Sequence, residues 1–167
     1  MKNMELAQSV LDRLRTYGVR EIVLCAGARN APFVALLSTG SNSNSEFKVY
    51  SFFEERSASF FALGRMQSEG SPVAVITTSG TAAAELLPAA VEADYQRLPL
   101  VMITADRPSR YRGSGAPQTI VQTGIYSHYV EQTFDLEKEP ATEITASGTR
   151  PIHLNVCFDE PLLDGGR

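Results

Sequence analysis

Six short apolar runs recur along this chain, separated by stretches with helical spacing, and no other feature limits the fold as strongly. The runs are Glu21–Cys25, Phe47–Phe53, Val73–Thr77, Leu98–Thr104, Tyr129–Phe134 and Ile152–Val156. Short, nearly continuous apolar strands are buried on both faces, as in parallel sheets covered by helices. Ala7, Val10, Leu11 and Leu14 fall at i, i+3, i+4 and i+7, one face of a helix that Gly18 is placed to end. Pro32 sits where a second helix can begin. Ala58, Phe61, Ala62 and Met66 mark a third, broken at Gly70-Ser-Pro72. Ala83, Leu86, Leu87, Ala90 and Val91 mark a fourth, which Pro88 should kink. The Ser/Asn-rich stretch Gly40–Ser45 is expected to be a surface loop, and Pro161 with Gly165-Gly166 closes the pattern. The expectation is one α/β domain over residues 1–167, a three-layer αβα arrangement with a central, mostly parallel sheet of about six strands.

Ligands of such sheets collect beyond the carboxyl ends of the strands, so the loops there are the places to search. After the first strand, Gly27 permits a tight turn and Arg29 is either an anion-binding side chain or an exposed cation on a connection. After the second come Glu54 and Glu55. Acids in a first helical turn complement its dipole, which accounts for Glu54. Glu55 follows two Phe; in apolar surroundings its pKa would rise and fit it for acid–base work, so capping and catalysis stand level. After the third strand, the hydroxyls and glycine of Thr77-Thr78-Ser79-Gly80 suit either a polar ligand or an ordinary N-cap. After the fourth, Arg107, Arg110 and Arg112 crowd a Gly- and Pro-rich loop running from Ala105 to Gly124, which suggests an acidic ligand. Gly113 and Gly115 are only a fragment of a dinucleotide fingerprint. His128 and His153 are isolated and read as structural.

The net charge of −4 argues against nucleic acid or an anionic membrane as partner. Cys25 and Cys157, the only cysteines, lie in apolar strands and read as small buried hydrophobes, with neither disulfide nor zinc spacing. No metal site is expected on this chain. The start shows no basic-then-apolar leader, and no apolar run is long enough to span a bilayer, which points to a cytoplasmic protein.

Taken together these segments resemble the 2-succinyl-5-enolpyruvyl-6-hydroxy-3-cyclohexene-1-carboxylate synthases of menaquinone biosynthesis, the MenD family. The resemblance rests on Cys25–Pro32, Phe53-Glu-Glu55-Arg56, Thr78-Ser-Gly-Thr81 with Pro88 and Glu92-Ala93, Thr104-Ala-Asp-Arg-Pro108, Gly115-Ala-Pro-Gln118, and Pro151-Ile-His-Leu-Asn155 through Asp159-Glu-Pro-Leu162. It implies the pyrimidine-binding domain of a thiamine-diphosphate enzyme. That enzyme decarboxylates 2-oxoglutarate and adds the acyl-anion equivalent to isochorismate. Glu55 aligns with the cofactor-activating glutamate, whose carboxyl group favours the imino form of the aminopyrimidine. Thr78, Ser79 and Gly80 align with cofactor-binding positions, and Arg29, Arg107 and Gln118 with residues near the substrate. Ala28 stands where the family has a serine, and Pro117 where it has an asparagine. The Gly-Asp-Gly…Asn motif that holds the diphosphate and Mg2+ is absent, so this chain is expected to be either the first domain of a longer enzyme or a split-gene subunit, inactive alone. It would face the diphosphate-binding domain of another subunit in a homodimer or homotetramer. Two other readings stay open: a ligand-sensing or scaffold domain without catalysis, and a related thiamine-dependent decarboxylase or acetolactate-type synthase.

Overall fold

A computed structural model describes residues 1–38, 46–139 and 143–163. The Gly40–Ser45 and Gly165-Gly166 expectations lie outside these residues. Helix α1 (Asn3–Tyr17) ends at Gly18, whose φ of 100° is left-handed and costs glycine nothing. Then follow β1 (Glu21–Cys25), α2 (Ala31–Ser38), β2 (Lys48–Phe52), α3 (Glu55–Glu69), β3 (Val73–Thr77), α4 (Thr81–Ala84), α5 (Leu87–Gln96) and β4 (Val101–Asp106). After one 3-10 turn at Ser109–Tyr111 come β5 (Gln132–Leu136) and β6 (Ile152–Cys157). No described helix is long and apolar enough to cross a membrane.

All six strands pair in parallel, in the order β2-β1-β3-β4-β6-β5. Alternate side chains feed two cores. Ile22, Leu24, Ile76, Ile103 and Leu154 join α1 and Phe33 of α2 on one face. Val23, Val75 and Met102 join Ala62 and Met66 of α3 and Ala90 and Ala93 of α5 on the other. The chain therefore leaves β1 toward one face and β3 toward the opposite face, which opens a crevice between neighbouring strands at their carboxyl ends.

The elements differ from expectation in four places, one being β4, which begins at Val101 rather than Leu98 because Leu98 N still bonds back to the Ala93 carbonyl of α5, and which ends at Asp106 rather than Thr104. Pro88 does not kink a helix; it occupies the first turn of α5, where a missing N–H costs nothing, and α4 is a separate short turn. The fifth strand starts at Gln132, not Tyr129. Residues 123–129 instead form successive turns that bury Tyr126, whose hydroxyl donates to the Ala83 carbonyl. The second strand stops at Phe52, and Phe53 projects fully exposed (106%) at the sheet edge.

Candidate functional site

The carboxyl ends of β1, β2, β3 and β4 bring together residues 26–30, 53–55, 78–80 and the loop beyond Asp106. Glu54 takes the capping role. Its backbone is extended (φ −119°, ψ 120°), and its two carboxylate oxygens accept from Arg56 N at 3.0 Å and Ser57 N at 2.7 Å. The Ser57 side chain, with these backbone bonds, holds its carboxyl below the usual glutamate range. Glu55 is left half-buried at the first position of α3, and its carboxylate makes no hydrogen bond or ion pair with any described residue. The apolar enclosure expected around it is partial, because Phe53 turns outward. Glu55 lies close to the end of β1. Burial pushes the Cys25 thiol up to about 12, and the charges of Glu55 and Glu54 add to that rise.

Two apolar clefts flank Ala26-Gly27. One of about 200 Å³ is lined by Leu24, Ala26, Ser51, Phe52 and Phe53; another of about 500 Å³ by Ala26, Gly27, Ala31, Val34, Ala35 and Leu163. Gly27 is required here, since a Cβ would stand 2.6 Å from Cβ of Thr78. The loops after β1 and β3 thus touch through bare backbone, and Arg29 N donates to Thr78 Oγ1 at 3.3 Å. The hydroxyls after β3 are not caps. Gly80 is the cap residue of α4 and makes no side-chain cap bond, while Thr77 Oγ1 is buried with no partner. With four residues, α4 is also too short to offer an anion site at its amino end.

Arg29 is not an exposed cation on a connection. It is 7% exposed, donates to the Phe158 carbonyl at 3.1 Å and pairs with Glu160 at 3.1 Å. Nor do three free arginines converge on one ligand. Arg110 is paired with Asp159 at 2.6 Å and Arg112 with Asp135 at 2.7 Å. Among the described residues Arg107 has no carboxylate partner. It donates to the Pro117 carbonyl at 3.2 Å, and its Nε is buried without a partner. Gln118, with a left-handed φ of 55°, is exposed and donates to the Ser79 carbonyl at 3.0 Å.

Behind these loops lies a buried polar network that reading the sequence did not find. Asn155 Nδ2 donates to Asp106 at 3.1 Å and Asp135 at 2.9 Å; its Oδ1 accepts from Thr104 Oγ1 at 3.0 Å and Gln122 Nε2 at 2.8 Å. Burial raises the Asp106 pKa, against the Asn155 bond that lowers it. At Asp135 burial also pushes upward, but Arg112 and Asn155 together outweigh it and lower the pKa. Thr104 has one proton and gives it to Asn155, so its 2.7 Å contact with His153 Nε2 makes that nitrogen the donor. A signal was available: His153 and Asn155 occupy alternate positions of a strand buried throughout, where polar residues need partners.

Among the described residues no group of three or more His, Cys, Asp or Glu is placed to hold a metal ion. What the sheet edge offers is a carboxylate without a partner, apolar clefts on either side of a bare glycine, and an orphaned hydroxyl. Those are the parts a flat, basic heterocycle needs for binding: an apolar seat and an anionic acceptor.

The family comparison agrees with that chemistry. Residues 4–125 match the thiamine pyrophosphate enzyme N-terminal TPP binding domain, and the chain belongs to this family. Among curated proteins it is similar to the 2-succinyl-5-enolpyruvyl-6-hydroxy-3-cyclohexene-1-carboxylate synthase of Bdellovibrio bacteriovorus, at 60% identity over 167 residues, covering 99% of this chain and 31% of the relative. The enzymes of the same name from Akkermansia muciniphila and Halobacterium salinarum are 48% and 41% identical, over 92% and 96% of this chain and 29% and 30% of theirs. The chain spans about a third of the length of the curated relatives it matches.

Proposed function

We propose that this chain is the pyrimidine-binding domain of a thiamine-diphosphate-dependent synthase of menaquinone biosynthesis, which decarboxylates 2-oxoglutarate and joins the product to isochorismate. The observation that carries this reading is Glu55. Its neighbour Glu54 satisfies the start of α3, so the Glu55 carboxylate is left without a partner among the described residues, two positions after Phe53, which lines one of the apolar clefts.

Thiamine diphosphate, when bound, supplies the electron sink for decarboxylation. Glu55 holds a proton against a ring nitrogen of the pyrimidine, a charge-assisted bond that fixes which nitrogen carries it. Thr78, Ser79 and Gly80 line the ring's approach, and Gly27 keeps the crevice open. Arg107, the loop arginine without a carboxylate partner, takes a substrate carboxylate, with Gln118 beside it. Arg29 contributes a second positive charge, already screened by Glu160. Ala28 and Pro117 offer no hydroxyl or amide at two positions where the family has them, so these arginines carry more of the acceptor's recognition. The diphosphate and Mg2+ belong to another domain, contributed by a partner subunit in a homodimer or homotetramer, and the setting is the cytoplasm.

The test is steady-state turnover of the complete enzyme with 2-oxoglutarate and isochorismate. Glu55→Gln should lower kcat by at least about 10²-fold, the scale of lost proton-transfer catalysis. Near-normal turnover by a folded Glu55→Gln enzyme would rule the reading out.

A further inference from the structure

Both polar groups of one peptide unit, Ser79–Gly80, are gripped by glutamine side chains from a single stretch of the long loop. Gln118 Nε2 donates to the Ser79 carbonyl at 3.0 Å, and the Gly80 N–H donates to Gln122 Oε1 at 2.8 Å. The approach is so close that a Cβ on Gly80, whose φ is 79°, would stand 2.6 Å from Gln118 Cγ. Gln122 is 1% exposed and cannot rotate freely. Its Nε2 also donates to the Ala105 carbonyl at 3.2 Å and to Asn155 Oδ1 at 2.8 Å, and turning the amide would leave buried groups unpaired. Gln118 is exposed, and its second N–H has no protein acceptor among the described residues. The carbonyl just before it, on Pro117, is held by Arg107.

We propose that Gln122 is a positioning residue: by drawing the Gly80 N–H inward it turns the Ser79 carbonyl outward to Gln118, which aims the free N–H of Gln118, beside Arg107, at the acceptor substrate. This rests on the function proposed above. An amide already fixed before the ligand arrives loses less side-chain freedom on binding. The same grip ties the loop after β3 to the end of β4, so the cofactor and substrate positions are held in fixed register with each other.

The test is kinetics of the complete enzyme carrying Gln122→Met, Gln122→Glu, Gln118→Ala, and Gln118→Ala with Gln122→Met. Met nearly conserves volume and removes every polar contact. Glu keeps an acceptor for Gly80 N–H and, held as the neutral acid by burial against two acceptor oxygens, donates its single O–H to Asn155 Oδ1 or the Ala105 carbonyl, giving up one of the amide's two donated bonds. Gln122→Met should raise KM for isochorismate about tenfold with a smaller loss in kcat, the scale of one lost hydrogen bond. Gln122→Glu should bring KM back to within about threefold of wild type, and the double variant should match Gln118→Ala alone, since the two residues act as a unit. Additive losses, or a Glu variant as impaired as Met, overturn the proposal, because a purely structural role in the Asn155 network gives that result. Hydrogen exchange at the Gly80 amide, without substrate, should quicken in Met and stay slow in Glu. If Gln122→Met does not fold, the Glu variant decides: restored KM with slow exchange supports the grip, and loss of either overturns it. Failure of the underlying function is distinct, because wild type would then show no turnover with the two substrates.

Discussion

Glu54 and Glu55 are adjacent and chemically identical, yet only one is spent on the fold. Which one depends on backbone dihedrals: the residue just outside the helix, in extended conformation, can fold its carboxylate back onto the N–H groups. Glu54→Ala should lower Tm, and Glu55→Ala should not. The cap also sets a sign with pH. A carboxyl whose folded pKa is depressed adds stability above its unfolded value, 4.5, and loses it as pH falls through the lower folded value. The difference in Tm between wild type and Glu54→Ala should therefore be full at neutral pH and shrink below about 4.5. Gly27→Ala is the other single-residue test. With Thr78 2.6 Å from the new methyl, it should cost ~1–3 kcal/mol by urea denaturation, the scale of overpacking, and Thr78→Ser should recover part of that. Sequence alone left Glu55 level between two roles because it shows two acids and no dihedrals.

At the scale of elements, β1 and β3 were the readable strands, whereas β4, also central, runs Val101–Asp106 rather than Leu98–Thr104. β1 and β3 are buried along their whole length and appear in the sequence as unbroken apolar runs with the right ends. The edge strands β2 and β5 are partly exposed, so their ends blur: one runs short at Phe52, the other starts late at Gln132. Polar residues inside a buried strand were the least legible, because their partners are far away in sequence. Thr104 and Asn155 meet only through the register of β4 with β6. His153 gives this strand a pH signature. Burial holds its pKa down to about 3, so between the ordinary histidine value of 6.5 and that point the unfolded chain binds a proton that the folded one refuses. Stability should fall by up to ~1.4 kcal/mol per pH unit as pH drops below 6.5. Asp106, with its raised pKa, acts in the opposite sense, so the His153 contribution is read as the difference between wild type and a His153 variant. Urea denaturation below pH 6.5 should show the slope in wild type and a flatter line in His153→Gln.

Across the whole molecule, every loop with site residues leaves the same edge of the sheet, and the other edge carries none of them. That segregation was legible from the alternation of elements; what each arginine does was not, because the partners of Arg29, Arg110 and Arg112 lie far along the chain. Under the proposed function the diphosphate and its metal are held outside this domain. Chelation with EDTA should then abolish turnover of the complete enzyme and Mg2+ should restore it, while the thermal unfolding of this domain stays where it was. The pairing of Arg29 with Glu160 has a consequence of its own. The socket around this cation is never bare: an exposed, tethered acid from beyond β6 stands in it as a placeholder. Under the proposed function, an incoming acidic guest would evict that resident into water, exchanging one anion for another, so entry would add no net charge to the socket. A chain lacking the placeholder would leave this buried cation with only the Phe158 carbonyl as acceptor among the described residues and open to any small anion.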